Sequence, residues 1–151
     1  MNVLISACLL GLSCRYDGQS KQYPAVSQLQ QREDIHLIPF CPEQAGGLPT
    51  PRDPSERKGE AVITSGGRDV TEAYWRGARQ ALQLARLFHC SLAVLKEKSP
   101  SCGCGRIYDG SFTRTLTDGD GVTTQLLKEN GLTVIGEGQI AACFCTDPLL
   151  K

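Results

Sequence analysis

Val3-Leu-Ile-Ser-Ala7, followed at once by Cys8, is a continuous apolar run of strand length. A strand that is apolar on both faces belongs in a sheet covered on both sides. His36–Phe40 has the same character and leads straight into Cys41. Ser91–Leu95 is a third such run, followed by Lys96-Glu-Lys-Ser-Pro-Ser101 and then Cys102. Leu132–Ile135 supplies a last strand, and Glu60–Thr64 a short one. Helical patterns lie between them. Pro24–Gln31 suits a short helix with Pro24 in its first turn. Asp69-Val-Thr-Glu72 has the form of a capping box, with Asp69 as N-cap. Val70, Tyr74, Gly77, Ala78, Ala81, Ala85 and Phe88 then recur at helical spacing, so this helix is expected to run to about His89. Asp120–Asn130 reads as another helix, capped by Asp120 and closed by Gly131.

Strands alternating with helices predict the α/β class: a three-layer, Rossmann-like fold with a mostly parallel sheet. A length of 151 residues suits one domain over 1–151. Lys+Arg and Asp+Glu are balanced at 16 each, so no global field recruits nucleic acid or a membrane. The apolar start has no basic residues ahead of it and is too short for a signal peptide or a membrane span. The expected location is therefore the cytoplasm, with no membrane partner. Eight cysteines are unusual for such a chain. Disulfide frameworks belong to secreted chains shorter than ~100 residues, so metal binding or redox chemistry is the better reading.

Parallel strands point one way, so Cys8, Cys41 and Cys102 are expected to gather at the carboxyl edge, where open α/β sheets place ligands. Structural zinc sites prefer four ligands, often in CxxC pairs, which are missing here. Iron–sulfur clusters are held by thiolates and accept dispersed ones. Three thiolates on four irons would leave one iron open as a Lewis acid. Composition alone leaves zinc and cluster both open. Cys14, in the Gly11–Gly18 loop, is either a redox, catalytic or substitute-ligand thiol or a bystander. Cys104 follows Cys102 too closely for both to reach one cluster easily, whereas Cys90, Cys143 and Cys145 read as packing residues. From Pro42 to Pro54 the prolines and paired glycines exclude a regular element and mark a functional loop.

Three segments carry a resemblance: Ser6-Ala-Cys-Leu-Leu-Gly11 with Cys14-Arg-Tyr-Asp-Gly18, Cys41-Pro-Glu-Gln-Ala-Gly-Gly-Leu-Pro-Thr-Pro-Arg52, and Lys98-Ser-Pro-Ser-Cys-Gly103. In this order they resemble the thiouracil desulfidase family over nearly the whole chain. The resemblance implies a [4Fe-4S] cluster held by Cys8, Cys41 and Cys102, with a free iron that takes sulfur from 2-thiouracil. It implies a small thiolated pyrimidine as substrate. Some relatives carry an extra domain and act on 4-thiouridine in tRNA; the lack of one here favours a free base or nucleoside.

Exchange of C=S for C=O needs a sulfur acceptor, an activated water and a proton donor. Glu43, two residues after Cys41, is placed to act as general base. Ser99 and Ser101 flank Cys102 and are candidates to orient substrate or relay a proton, as well as turn formers around Pro100. Arg15 and Arg52 sit in loops after cysteine-bearing strands, where they could contact substrate oxygens or a phosphate, although surface placement is the commoner fate. Thr117-Asp-Gly-Asp-Gly121 lacks the carboxylates of a calcium loop and reads as a turn, and His36 and His89 as structural histidines. The alternatives are a non-catalytic metal- or cluster-binding module, a desulfidase acting on tRNA, and a thiol redox protein; CxC pairs are poorer than CxxC for the last.

Overall fold

The computed structural model describes residues 1–20 and 23–144. Four strands, β1 (Asn2–Ser6), β2 (His36–Phe40), β5 (Leu92–Leu95) and β8 (Thr133–Gly136), form a wholly parallel sheet in the order β2-β1-β5-β8. Ser6 stands opposite Phe40, Ile5 opposite Val94, and Leu95 opposite Gly136. Alternate side chains serve different cores. Val3, Ile5, Leu92, Val94 and Ile135 pack on α1 (Pro24–Gln30) and α5 (Ile140–Phe144). Leu4, Ala93, Leu95 and Val134 pack on α3 (Thr71–Leu87) and α4 (Val122–Glu129). Helices thus cover both faces, as the doubly apolar strands predict. The chain leaves β1 toward β2 on one side and returns to β5 on the other, which places the topological switch beside β1.

Several elements depart from the sequence reading. β2 is an edge strand and only half-buried, consistent with Pro39, which an inner strand tolerates poorly. The Pro42–Pro54 stretch contains a one-turn helix, α2 (Pro42–Ala45), started by Pro42 at its first position. Two antiparallel hairpins stand apart from the main sheet: β3 (Ser55–Lys58) with β4 (Ala61–Thr64), and β6 (Arg106–Tyr108) with β7 (Leu116–Asp118). The Asp69–Glu72 capping box does not form. Asp69 Oδ1 accepts from Thr71 N at 2.9 Å, whereas Glu72 reaches forward to Arg79 at 2.7 Å. Asp120 likewise precedes the true N-cap, Gly121, and pairs instead with Lys128 at 3.1 Å. Gly131 does close α4, at φ +89, with Gly131 N donating to Lys128 O and Leu132 N to Leu127 O.

One packing detail positions the site. α2 lies backbone-to-backbone on α3, and a Cβ on Gly77 would stand 1.8 Å from Pro42 O. One on Gly46 would stand 2.0 Å from Ala73 O. Gly77→Ala must therefore push α2 away. The expected cost is about 1–3 kcal/mol of overpacking, read from the denaturant midpoint at constant m-value.

Candidate active site

The carboxyl edge of the sheet opens into a cavity of about 520 Å³ lined by Cys8, Cys14, Cys41, Cys102, Glu43 and Ser99, among others. Each thiol arrives by a different local device. Cys8 sits in the 3-10 turn Ala7–Leu10 that ends β1, closed by Gly11 at φ +92. Cys41 is the N-cap of α2, its carbonyl accepting from Ala45 N at 3.0 Å. Cys102 lies in a turn after β5, where Ser99 Oγ accepts from the backbone N–H groups of Ser101 and Cys102, both at 3.1 Å. Thr124 Oγ1 donates to Cys102 O at 2.8 Å and ties that turn to α4. Cys14 joins the group from its loop: Cys41 Sγ donates to Cys14 O at 3.7 Å.

The surroundings of Cys14, Cys41 and Cys102 raise the pKa of each. The hydrogen bond from Cys41 lowers the Cys14 pKa, but the Cys8 thiol and burial outweigh it and push Cys14 up to about 11. Cys41 is raised further, first by its bond with Cys14 and then by burial. Burial, with Glu43 and Cys41 nearby, pushes Cys102 up to about 12. The Arg52 charge offsets this only in part at Cys14, and a bound metal centre would supply the further charge that holds thiolates.

Glu43 is no solvated loop carboxylate. It lines the cavity with its side chain 17% exposed, Oε1 accepting a short hydrogen bond from Tyr74 OH and Oε2 lying 3.4 Å from Arg52 Nη2. Burial first, then the Glu43 charge, push the Tyr74 pKa well above the usual phenol value, so Tyr74 remains a donor. Arg52 corrects the surface placement expected for it. Its side chain is only 6% exposed, and its guanidinium donates to Cys14 O at 3.0 Å, Thr50 Oγ1 at 3.1 Å and Pro49 O at 3.2 Å. One arginine thereby joins the Cys14 loop, the Pro49–Arg52 loop and the carboxylate. Arg15 stays partly exposed at the cavity, 3.8 Å from Asp17.

Ser101 departs from the role read for it: it is fully buried, its hydroxyl 3.0 Å from Thr123 Oγ1, and it lies behind the cavity wall. Ser99 does line the cavity, with its oxygen occupied by the turn. Cys104 does not line the cavity, and its Sγ donates to Val134 O at 3.3 Å. Cys90 packs in the core as expected, whereas Cys143 is exposed and does not pack; Cys145 lies outside the described residues. His36 and His89 are both exposed, and neither lines the cavity. Sequence reasoning missed Tyr74, whose helical spacing marked it only as core. It also missed Lys96, whose Nζ lies 2.8 Å from the buried Glu137 beside the cavity.

These features define a class: a parallel α/β domain whose strand-end loops ring a cavity with thiols around one braced carboxylate. The chain belongs to the 2-thiouracil desulfurase family, whose model matches residues 3–139. It is similar to the uncharacterized protein YbbK of Bacillus subtilis (strain 168), at 38% identity over 148 residues covering 91% of this chain and 97% of YbbK. It is also similar to the solved structure of the [4Fe-4S]-dependent thiouracil desulfidase TudS, at 46% identity and a TM-score of 0.86, covering 97% of this chain and 99% of that one. Among the described residues, no helix is long and apolar enough to cross a membrane.

Proposed function

We propose that this protein is a [4Fe-4S]-dependent, non-redox desulfidase that converts a small thiolated pyrimidine, 2-thiouracil or a close relative, to its oxo form with release of sulfide. The observation that carries the reading is the convergence of three strand-end thiols and a braced glutamate on one cavity. The donor set fits the group. Four thiols, Cys8, Cys14, Cys41 and Cys102, line one cavity. Thiols spread around a cavity suit a polynuclear cluster whose irons each take one thiolate. Cys8, Cys41 and Cys102 would hold it, and when bound it supplies an iron free of protein thiolate, a Lewis acid and sulfur acceptor.

The chain's own residues supply the rest. Glu43 takes a proton from water, whose oxygen bonds to the thiocarbonyl carbon as the C–S bond breaks. Tyr74 and Arg52 hold that carboxylate in place. Glu43 passes that proton to the departing sulfur, and the second water proton, lost from the new hydroxyl as C=O forms, follows it, so sulfur leaves as hydrogen sulfide in its original oxidation state and no electron is required. Ser99 acts by holding the Cys102 turn. A purely structural cluster site would have no use for a carboxylate fixed at the cavity wall.

A cavity of about 520 Å³ suits a small ligand, which favours a free base or nucleoside over tRNA. The seven described cysteines are all free, which fits a cytoplasmic location. Protein reconstituted anaerobically with iron and sulfide is expected to turn 2-thiouracil into equal amounts of uracil and sulfide, followed by chromatography and a sulfide assay. Iron-loaded protein that produces neither would overturn the proposal.

A further inference from the structure

The cavity has a wall that the thiols and Glu43 leave unexplained, the loop of residues 109–115 between β6 and β7. Its odd-numbered side chains brace one another. Asp109 Oδ1 accepts from Ser111 N at 2.9 Å and Ser111 Oγ at 2.5 Å, and the Ser111 hydroxyl lies 2.5 Å from that of Thr113. The Thr113 hydroxyl in turn lies 2.8 Å from that of Thr115, while Asp109 N donates to Thr115 O at 3.0 Å. The even-numbered residues serve other surfaces. Gly110 packs on Lys58, where a Cβ would stand 2.7 Å from the Lys58 Cβ, and Phe112 and Arg114 line the cavity.

Phe112 and Arg114 take φ +58 and +59, which side-chain-bearing residues adopt only when their surroundings impose it. At Phe112, Glu56 on β3 imposes it. It is 9% exposed, and its Oε1 accepts from Gly110 N at 3.0 Å and Phe112 N at 3.2 Å. The consequence is an aromatic ring 38% exposed at a cavity wall. A flat aromatic face held at a cavity wall is a platform on which a planar base can stack.

We infer that Phe112 is a binding residue that receives the planar ring of the substrate, and that Glu56 is the positioning residue that holds it there. This rests on the desulfidase reading. Stacking of a base on an aromatic side chain corresponds to about 5- to 150-fold in affinity.

The test compares Phe112→Ala, Glu56→Ala and Glu56→Gln, each reconstituted to the iron content of the wild type. Phe112→Ala is expected to raise KM for 2-thiouracil by about fivefold or more, with kcat changed by less than about twofold. Glu56→Ala should raise KM in the same way and speed tryptic cleavage after Arg114. Glu56→Gln should restore most of the wild-type KM, because its amide oxygen still accepts both N–H groups. An unchanged KM in Phe112→Ala, or a Gln variant as impaired as the Ala variant, overturns the inference. If the wild type releases no sulfide, the desulfidase reading falls, and calorimetric binding of 2-thiouracil decides the inference independently. Weakening of Kd by about fivefold in Phe112→Ala supports it; equal Kd, or no binding by the wild type, overturns it.

Discussion

Cys8→Ala, Cys41→Ala and Cys102→Ala are each expected to leave anaerobic reconstitution nearly colourless, with iron and acid-labile sulfide close to background. The three residues reach the cavity on separate supports: the turn after β1, the start of α2 and the turn held by Ser99 and Thr124. None of these backbones depends on its cysteine side chain, so far-UV circular dichroism should stay that of the wild type. On the proposed ligand set, each substitution would remove one of three thiolate anchors and leave two for the cluster. Cys104→Ala is the control and should bind full iron, since Cys104 faces Val134. Cys14→Ala decides the alternative ligand set. Cys14 lines the same cavity, so iron retained in Cys41→Ala but lost in Cys14→Ala would exchange their roles.

Glu43→Gln is expected to keep wild-type colour and iron content yet lose about a hundredfold or more in kcat, the scale of general-base catalysis. The substitution keeps an acceptor for Tyr74 OH while removing the charge and basicity of the carboxylate. Arg52 retains its bonds to Cys14 O, Pro49 O and Thr50 Oγ1, so both loops should stay in place. Tyr74→Phe separates orientation from basicity: iron should be unchanged and kcat should fall less than in Glu43→Gln. Steady-state turnover at matched iron content reads both. Normal turnover in Glu43→Gln would remove Glu43 from the chemistry.

The sequence by itself determined the parallel sheet and the direction in which its strands deliver Cys8, Cys41 and Cys102. Continuous apolar runs followed by cysteines are local patterns, and they hold for β1 and β5, buried on both sides, and even for the half-buried edge strand β2. The positions of Gly131 and Pro24 at helix ends were legible for the same reason, since a cap depends on its immediate neighbours. Asp69 and Asp120 misled because each stands one residue ahead of the true N-cap: Asp69 accepts from Thr71 N and Asp120 pairs with Lys128. Only the tertiary structure decided that the Arg52 side chain is buried, that Tyr74 braces Glu43, that Ser101 lies behind the cavity wall and that Glu56 presents Phe112. Each joins residues far apart in the chain, and a hydrogen bond between distant loops leaves no periodicity in the residues that make it.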